Sequence, residues 1–266
     1  MKLLSILIGF PFVVRTFLAD TPTRKSAKAS AQMHTTQLTG PWTDVGDVLS
    51  HGSKVDLKGE RLFWAPDVQK VGDMYYLYYA VSSIGSQNSA IGLARSKTLD
   101  SGTWIDAGSV GVTSDSSKTY NAIDPNLFKD RDQYYLNFGS FWQGIYQIQF
   151  LSDPTKPAVK AVPQQLAFTS NDEVREGAYE FAYNGYYYLF FSQGVCCVLD
   201  QKKPVKGKEY HILVCRSKSP TPWETRERST SESRSYLRSE DAWLLMGSAD
   251  VVEEHAAEIE EFVIKL

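Results

Sequence analysis

One structural unit occurs three times in this chain, and it restricts the fold more than any other feature. Trp64-Ala65-Pro66-Asp67-Val68 leads through the turn Val71-Gly72-Asp73 into Met74-Tyr75-Tyr76-Leu77-Tyr78-Tyr79. Asn121-Ala122-Ile123-Asp124-Pro125 leads through Asn126-Leu127-Phe128 and the turn Lys129-Asp130-Arg131-Asp132 into Tyr134 to Phe138. Glu176-Gly177-Ala178-Tyr179 leads through Asn184-Gly185 into Tyr186-Tyr187-Tyr188-Leu189-Phe190-Phe191. Each copy reads as a β-hairpin with a leading motif in front of it. Leu77, Leu136 and Leu189 mark a period of about 50 to 60 residues, the range of propeller blades and other stacked arrays.

A second phrase follows the hairpins. Ala94-Arg95-Ser96-Lys97-Thr98-Leu99 with Trp104 resembles Cys215-Arg216-Ser217-Lys218-Ser219-Pro220 with Trp223, and Thr35 to Asp44 with Trp42 is a looser copy. Each Trp is expected to cap the outer end of a blade. The earliest copy has no leading motif and no Tyr-rich strand before it, so the reading there is a fragment that lacks its inner half. Further strands are expected at Ala90 to Ala94, Ile145 to Phe150 and Tyr210 to Cys215.

At 266 residues and a formal charge of −3, the chain can bury a core and carries no polyanion-binding signature, so nucleic acid is not an expected partner. Lys2 followed by the apolar run Leu3 to Val14 fits the core of an export signal and is too short to span a bilayer, which takes roughly 20 apolar residues. The expected division is a leader at 1–19, a polar linker at 20–34, a partial β-propeller domain at 35–218 and a divergent tail at 219–266. That tail reads as a Ser/Arg/Glu-rich linker and a short helix, with Asp250 as cap and Val252, Ala256, Ile259 and Val263 at helical spacing. Cys196, Cys197 and Cys215 allow one cross-strand bridge or buried thiols. His34, His51, His211 and His255 lack metal-ligand spacing.

Several phrases together resemble glycoside hydrolase family 43, and within it the fungal endo-1,5-α-L-arabinanases. They are Trp64 to Val68, Ser82 to Ala94, Asn121 to Leu127, Asn137 to Trp142, Glu176-Gly177-Ala178 and Asn184 to Phe191. The resemblance covers roughly Leu38 to Lys218. It implies an all-β fold of five propeller blades, an arabinan or pectic side-chain polysaccharide as partner, a secreted monomer and an inverting hydrolysis. An inverting pair needs one carboxylic acid to protonate the leaving oxygen and one carboxylate to activate water. Glu176 matches the family's general acid, and Asp124 matches the carboxylate that tunes and positions it. Trp64, Asn121, Ser140, Phe141 and Trp142 are the expected substrate contacts, the aromatic ones by stacking on sugar rings. Asp67 is given a register equivalent to Asp124 and a structural hydrogen-bonding role.

The sequence departs from the family at both ends. The family's general base is an Asp in the first blade's leading motif, and here the only acid upstream of Leu38 is Asp20. The blade with a His-Gly leading motif, whose His organises a central metal ion in relatives, has no counterpart. The expectation is therefore three whole blades and a fragment, with no cofactor required. The central calcium implied by the resemblance would lack its organiser. The readings to weigh against hydrolysis are a non-catalytic arabinan-binding remnant, a defective product that does not fold stably, and another specificity of the family such as a xylosidase.

Overall fold

The computed structural model describes residues 6–9, 12–17, 31–35, 43–57, 62–168, 174–194 and 210–221. These form four antiparallel sheets in which each strand pairs with the next in sequence. The first contains Ile6–Gly9 (β1), Phe12–Phe17 (β2), Ala31–Thr35 (β3) and Thr43–Asp47 (β4). Leu62–Val71 (β5), Met74–Ser82 (β6), Ser89–Ser96 (β7) and Ile105–Ser114 (β8) form the second. The third contains Asn126–Asp130 (β9), Gln133–Phe138 (β10), Ile145–Gln149 (β11) and Gln164–Ala167 (β12). Arg175–Tyr183 (β13), Tyr186–Gln193 (β14) and His211–Ser217 (β15) form the fourth. The leading strands β1, β5, β9 and β13 neighbour one another in that order, the arrangement of propeller blades around an axis.

At the N-terminus the structure differs from the expected fragment. The stretch read as an export signal supplies β1 and β2, which pair as a hairpin with Gly9 opposite Phe12, and the first sheet has four strands. A short apolar run has no periodicity that separates a leader from a pair of strands. The helix expected over 250–263, Trp42, Trp223, Cys196 and Cys197 lie outside the described residues. Trp104 is buried at the foot of β8, as expected of a blade cap, and Cys215 is half-buried in β15.

The Tyr-rich strands are apolar on both faces because a sheet in the middle of the stack is covered on both sides. In β6, Tyr76 and Tyr78 enter the core between the second and third sheets with Ile91, Leu93, Leu127, Leu136 and Phe138. Leu77, Tyr79 and Val81 point the other way, against Val48, Leu49 and Phe63. Tyrosine suits these positions because its ring fills volume while its hydroxyl reaches a partner at the sheet margin. Tyr78 OH donates to the Pro154 carbonyl and Tyr76 OH to Asp153 Oδ1 (3.1 Å), so the loop after β11 is tied to the second sheet.

Polar side chains near the axis link successive sheets. Asp67 Oδ2 on β5 accepts the Leu127 N–H of β9 at 2.8 Å, and Asn126 Oδ1 on β9 accepts the Glu180 N–H of β13 at 2.9 Å. Glu180 Oε2 then accepts Asn137 Nδ2 (2.9 Å) and Gln147 Nε2 (2.8 Å) of the third sheet. Burial raises the Asp67 carboxyl to about 6 from 3.8, while the Leu127 N–H and the Gln69 carboxamide draw it back down. With the folded value above the unfolded one, Asp67 favours folding fully below about pH 4. That advantage fades as pH rises to 6, and the shift of ~2 units corresponds to about 3 kcal/mol. Asp67→Asn keeps an acceptor for Leu127 and should flatten the pH 4 to 6 slope of the urea-unfolding free energy. An unchanged slope would mean that Asp67 does not titrate in that range.

Candidate active site

The three leading motifs share one backbone irregularity, and it aims the acids. Pairing shifts by one residue between Trp64 and Asp67 on β5 and between Glu176 and Tyr179 on β13. The third sheet shows the same offset, because Gly139 N–H donates to the Ile123 carbonyl (2.8 Å) while Asn126 pairs with Asn137. Each bulge contains one residue in the left-handed region, Ala65 (φ +37°), Asp124 (φ +54°) or Gly177 (φ +65°). Such extra residues bend a strand and re-aim its side chains.

Ala65, Asp124 and Gly177 therefore occupy one position, and Trp64, Ile123 and Glu176 the position before it. The register given to Asp67 is corrected accordingly. It aligns with Asn126 and Tyr179, two residues beyond Asp124, and the extra residue in each bulge hides this from a comparison of motifs. The structural role assigned to Asp67 agrees with its bond to Leu127.

Asp124 and Glu176 meet across the seam between the third and fourth sheets. Asp124 is buried, and its Oδ2 accepts the N–H of Gly177, the residue after Glu176, at 3.1 Å. Burial first, and the Glu176 charge second, push its carboxyl well above the ordinary carboxylate range, against the pull of the Gly177 N–H. Glu176 is bound at both oxygens, with Tyr210 OH donating to Oε1 (2.7 Å) and Ser140 Oγ to Oε2 (2.8 Å). Ser140 also bridges Glu176 through the backbone, so the loop after β10 is fastened to the start of β13.

That loop carries the aromatic candidates. Phe141 (φ +56°) and Trp142 (φ +36°) are consecutive left-handed residues, 41% and 42% exposed. The Phe141 N–H is held by the Arg175 carbonyl (3.2 Å), and Gly144 N–H closes the turn onto the Phe141 carbonyl (2.7 Å). Two adjacent bulky residues in this conformation store backbone strain, a feature that concentrates at functional sites. The result is two large, part-exposed side chains directly after Ser140, whose hydroxyl binds Glu176.

The other expected contacts are placed differently. Ser140 is buried and spends its hydroxyl on Glu176. Asn121 is buried between Ser114 Oγ (3.2 Å) and the Ser86 carbonyl (3.5 Å), so it shapes the loop ahead of Asp124. Trp64 is half-buried at the start of β5, in the position that Glu176 holds on β13. Tyr210 was read only as the start of a strand. It reaches Glu176 because Glu176 pairs with Ser192 and Ser192 with Ile212, a relation that only the sheet pairing establishes. Among the described residues no three His, Cys, Asp or Glu side chains group closely enough to hold a metal ion.

Comparison with known proteins agrees with this geometry. The sequence model described as "Glycosyl hydrolases family 43" matches residues 17–263. Arabinan endo-1,5-α-L-arabinosidase A of Aspergillus niger is 54% identical over 183 residues, which cover 68% of this chain and 56% of that protein. This chain thus spans little more than half the length of that relative. Among solved structures, the family 43 endo-arabinanase of Bacillus licheniformis superposes with a TM-score of 0.69 at 30% identity, covering 82% of this chain and 72% of that one. An α-L-arabinanase of Cellvibrio cellulosa solved with arabinohexaose superposes at 0.65 with 26% identity, covering 82% and 71%. The repeated bulge, the paired carboxyls at the sheet seam and the extent of the family match lead to one conclusion: the chain belongs to glycosyl hydrolases family 43.

Proposed function

We propose that this chain is the acid-bearing, arabinan-binding part of an inverting hydrolase that cleaves internal α-1,5-L-arabinofuranosidic bonds. The observation that carries this reading is the pair of buried Asp124 and half-buried Glu176, with the exposed residues Phe141 and Trp142 on the loop that Ser140 fastens to Glu176. Glu176 protonates the departing sugar oxygen, and Asp124 tunes and positions it. The rings of Phe141 and Trp142 stack on arabinose units, with Trp64 lining the next sheet along. Asn121 and Ser140 support the site from beneath. The A. niger enzyme's activity and the C. cellulosa arabinohexaose complex support arabinan as the substrate class.

The chain's four sheets are part of a five-bladed propeller. The protein acts as a secreted monomer, with no nucleic acid or membrane partner and no cofactor in the chemistry of these residues. Residues 3–14 carry the secretion reading and also form much of β1 and β2. N-terminal sequencing of protein recovered from culture medium decides between leader and strand.

Titration calorimetry with arabinohexaose tests the substrate reading. Phe141→Ala and Trp142→Ala should each weaken binding about tenfold, equivalent to about 1.4 kcal/mol. Unchanged affinity in both would remove the stacking role, and no binding by the parent chain would remove the arabinan reading.

A further inference from the structure

The end of the sheets opposite Asp124 and Glu176 has a repeated feature of its own. There a cation lies over a tyrosine near the start of each Tyr-rich strand. On the second sheet Lys70 stands over Tyr75 at 5.6 Å from the ring centroid, and Arg95 over Tyr76 at 5.9 Å. On the third Lys129 stands over Tyr134 at 5.2 Å, and on the fourth Arg216 (4.4 Å) and Lys218 (3.3 Å) stand over Tyr186. Strand pairing puts them at one end, beside the turns that join β5 to β6, β9 to β10 and β13 to β14. Lys70, Lys129, Arg216 and Lys218 are exposed, and Arg95 is half-buried.

The formal charge of −3 conceals a local surplus of the opposite sign. Segments 70–73, 95–100, 129–132, 151–160 and 216–218, which lie at this end, hold nine Lys or Arg and five Asp. Two of those acids are engaged across seams between sheets. Asp130 Oδ1 accepts the Tyr187 hydroxyl at 2.9 Å, and Asp153 Oδ1 accepts that of Tyr76 at 3.1 Å. The cations instead sit on ring faces, where the attraction of the ring holds them in place before a ligand arrives, so less side-chain freedom is lost on binding. Stacked sheets lie about 10 Å apart, so cations on successive sheets recur at about that spacing. Such spacing suits a sparsely charged chain of sugar acids better than duplex DNA, which carries a charge every ~1.7 Å.

We propose that this end is a second binding surface, for an acidic polysaccharide of uronate units, and that it holds the chain on a carboxylated sugar matrix while leaving the Asp124–Glu176 end free. This surface is independent of the roles given to Asp124 and Glu176. Its cations are exposed, so their attraction is screened over about 8 Å at physiological salt and the binding is salt-sensitive.

The test is titration calorimetry of the whole chain with polygalacturonate, its methyl-esterified form, and duplex DNA. Polygalacturonate should bind, and its affinity should fall about tenfold between roughly 50 and 200 mM NaCl, as expected when about three cations release counter-ions. The esterified polymer keeps the sugars and loses the charges, and should not bind. Lys70→Gln, Lys129→Gln and Lys218→Gln remove one charge from each sheet. Each should lower the slope of log affinity against log salt by about 0.7 to 1, and the triple variant should not bind. Lys118→Gln removes the same charge at the opposite end and should change nothing. A parent chain that ignores polygalacturonate, or a folded triple variant that binds it as the parent does, overturns the proposal. DNA bound as tightly as polygalacturonate at the same salt overturns the uronate assignment. Failure of arabinohexaose to bind would remove the arabinan reading and leave this result standing.

Discussion

Incubated with linear 1,5-α-arabinan, these 266 residues on their own are expected to release new reducing ends at or near the background rate. Inversion requires a carboxylate on the face of the sugar opposite the acid, roughly 6.5 to 9.5 Å from it, to activate water. Glu176 and Asp124 cannot fill that place, because they adjoin one another at a single seam, linked through Gly177. Asp67 is buried and committed to the Leu127 N–H and to Gln69 Nε2 (3.1 Å). The strand corresponding to β13 in the first sheet is β1, and residues 1–19 contain no Asp or Glu. Loss of one partner of an acid–base pair costs around 10² to 10⁴ in rate.

Glu176→Gln should therefore be indistinguishable from the parent chain in hydrolysis, and added formate, as an external base, should raise the parent rate but not that of the variant. Clear turnover by the parent that disappears in Glu176→Gln would mean that a base exists elsewhere in the chain, and would reverse the prediction.

The second large effect concerns folding of the loop that carries the aromatic rings. Gly139 has φ +119°, and a Cβ there would lie 2.3 Å from the Gly144 carbonyl oxygen. That oxygen is backbone in a turn closed onto Phe141, so no flexible side chain can move aside to relieve the clash. Gly139 also supplies the N–H that pairs with the Ile123 carbonyl (2.8 Å), which holds the bulge that presents Asp124. Gly139→Ala should cost about 3 to 5 kcal/mol. At ~2 to 4 °C per kcal/mol for a domain of this size, the melting midpoint should fall by roughly 10 °C. Gly85→Ala is the control, because Gly85 has φ +77° but nothing within 4 Å of its would-be Cβ. It should lose only the roughly 1 to 2 kcal/mol of a left-handed non-Gly residue. Equal midpoints for the two variants would show that the backbone contact is not limiting.

Much of this protein was legible in its residues because strand periodicity and turn chemistry are local. Asn184-Gly185 marks the β13–β14 hairpin, and the Tyr-rich strands appear where the sequence puts them. The recurrence of leading motif, turn and strand set the stacked-sheet architecture, and it drew attention to Asp124 and Glu176. The N-terminal hairpin was not legible, since a short run of apolar residues has the same composition as an inner strand and as a leader.

What only the tertiary structure decided are relations between sheets. The bulge shared by the leading motifs of β5, β9 and β13 shows that Asp124 aligns with Ala65 and Gly177, and that Asp67 belongs with Asn126 instead. Tyr210 is 34 residues from Glu176 in sequence, and the pairing of β13 with β14 and β14 with β15 brings its hydroxyl to the carboxylate. Ser140, read as a sugar contact, donates to the other Glu176 oxygen. Sequence determines which strands form because a strand's preferences lie within a few residues. Which acid faces which hydroxyl depends on the stacking of whole sheets, and no local pattern encodes it.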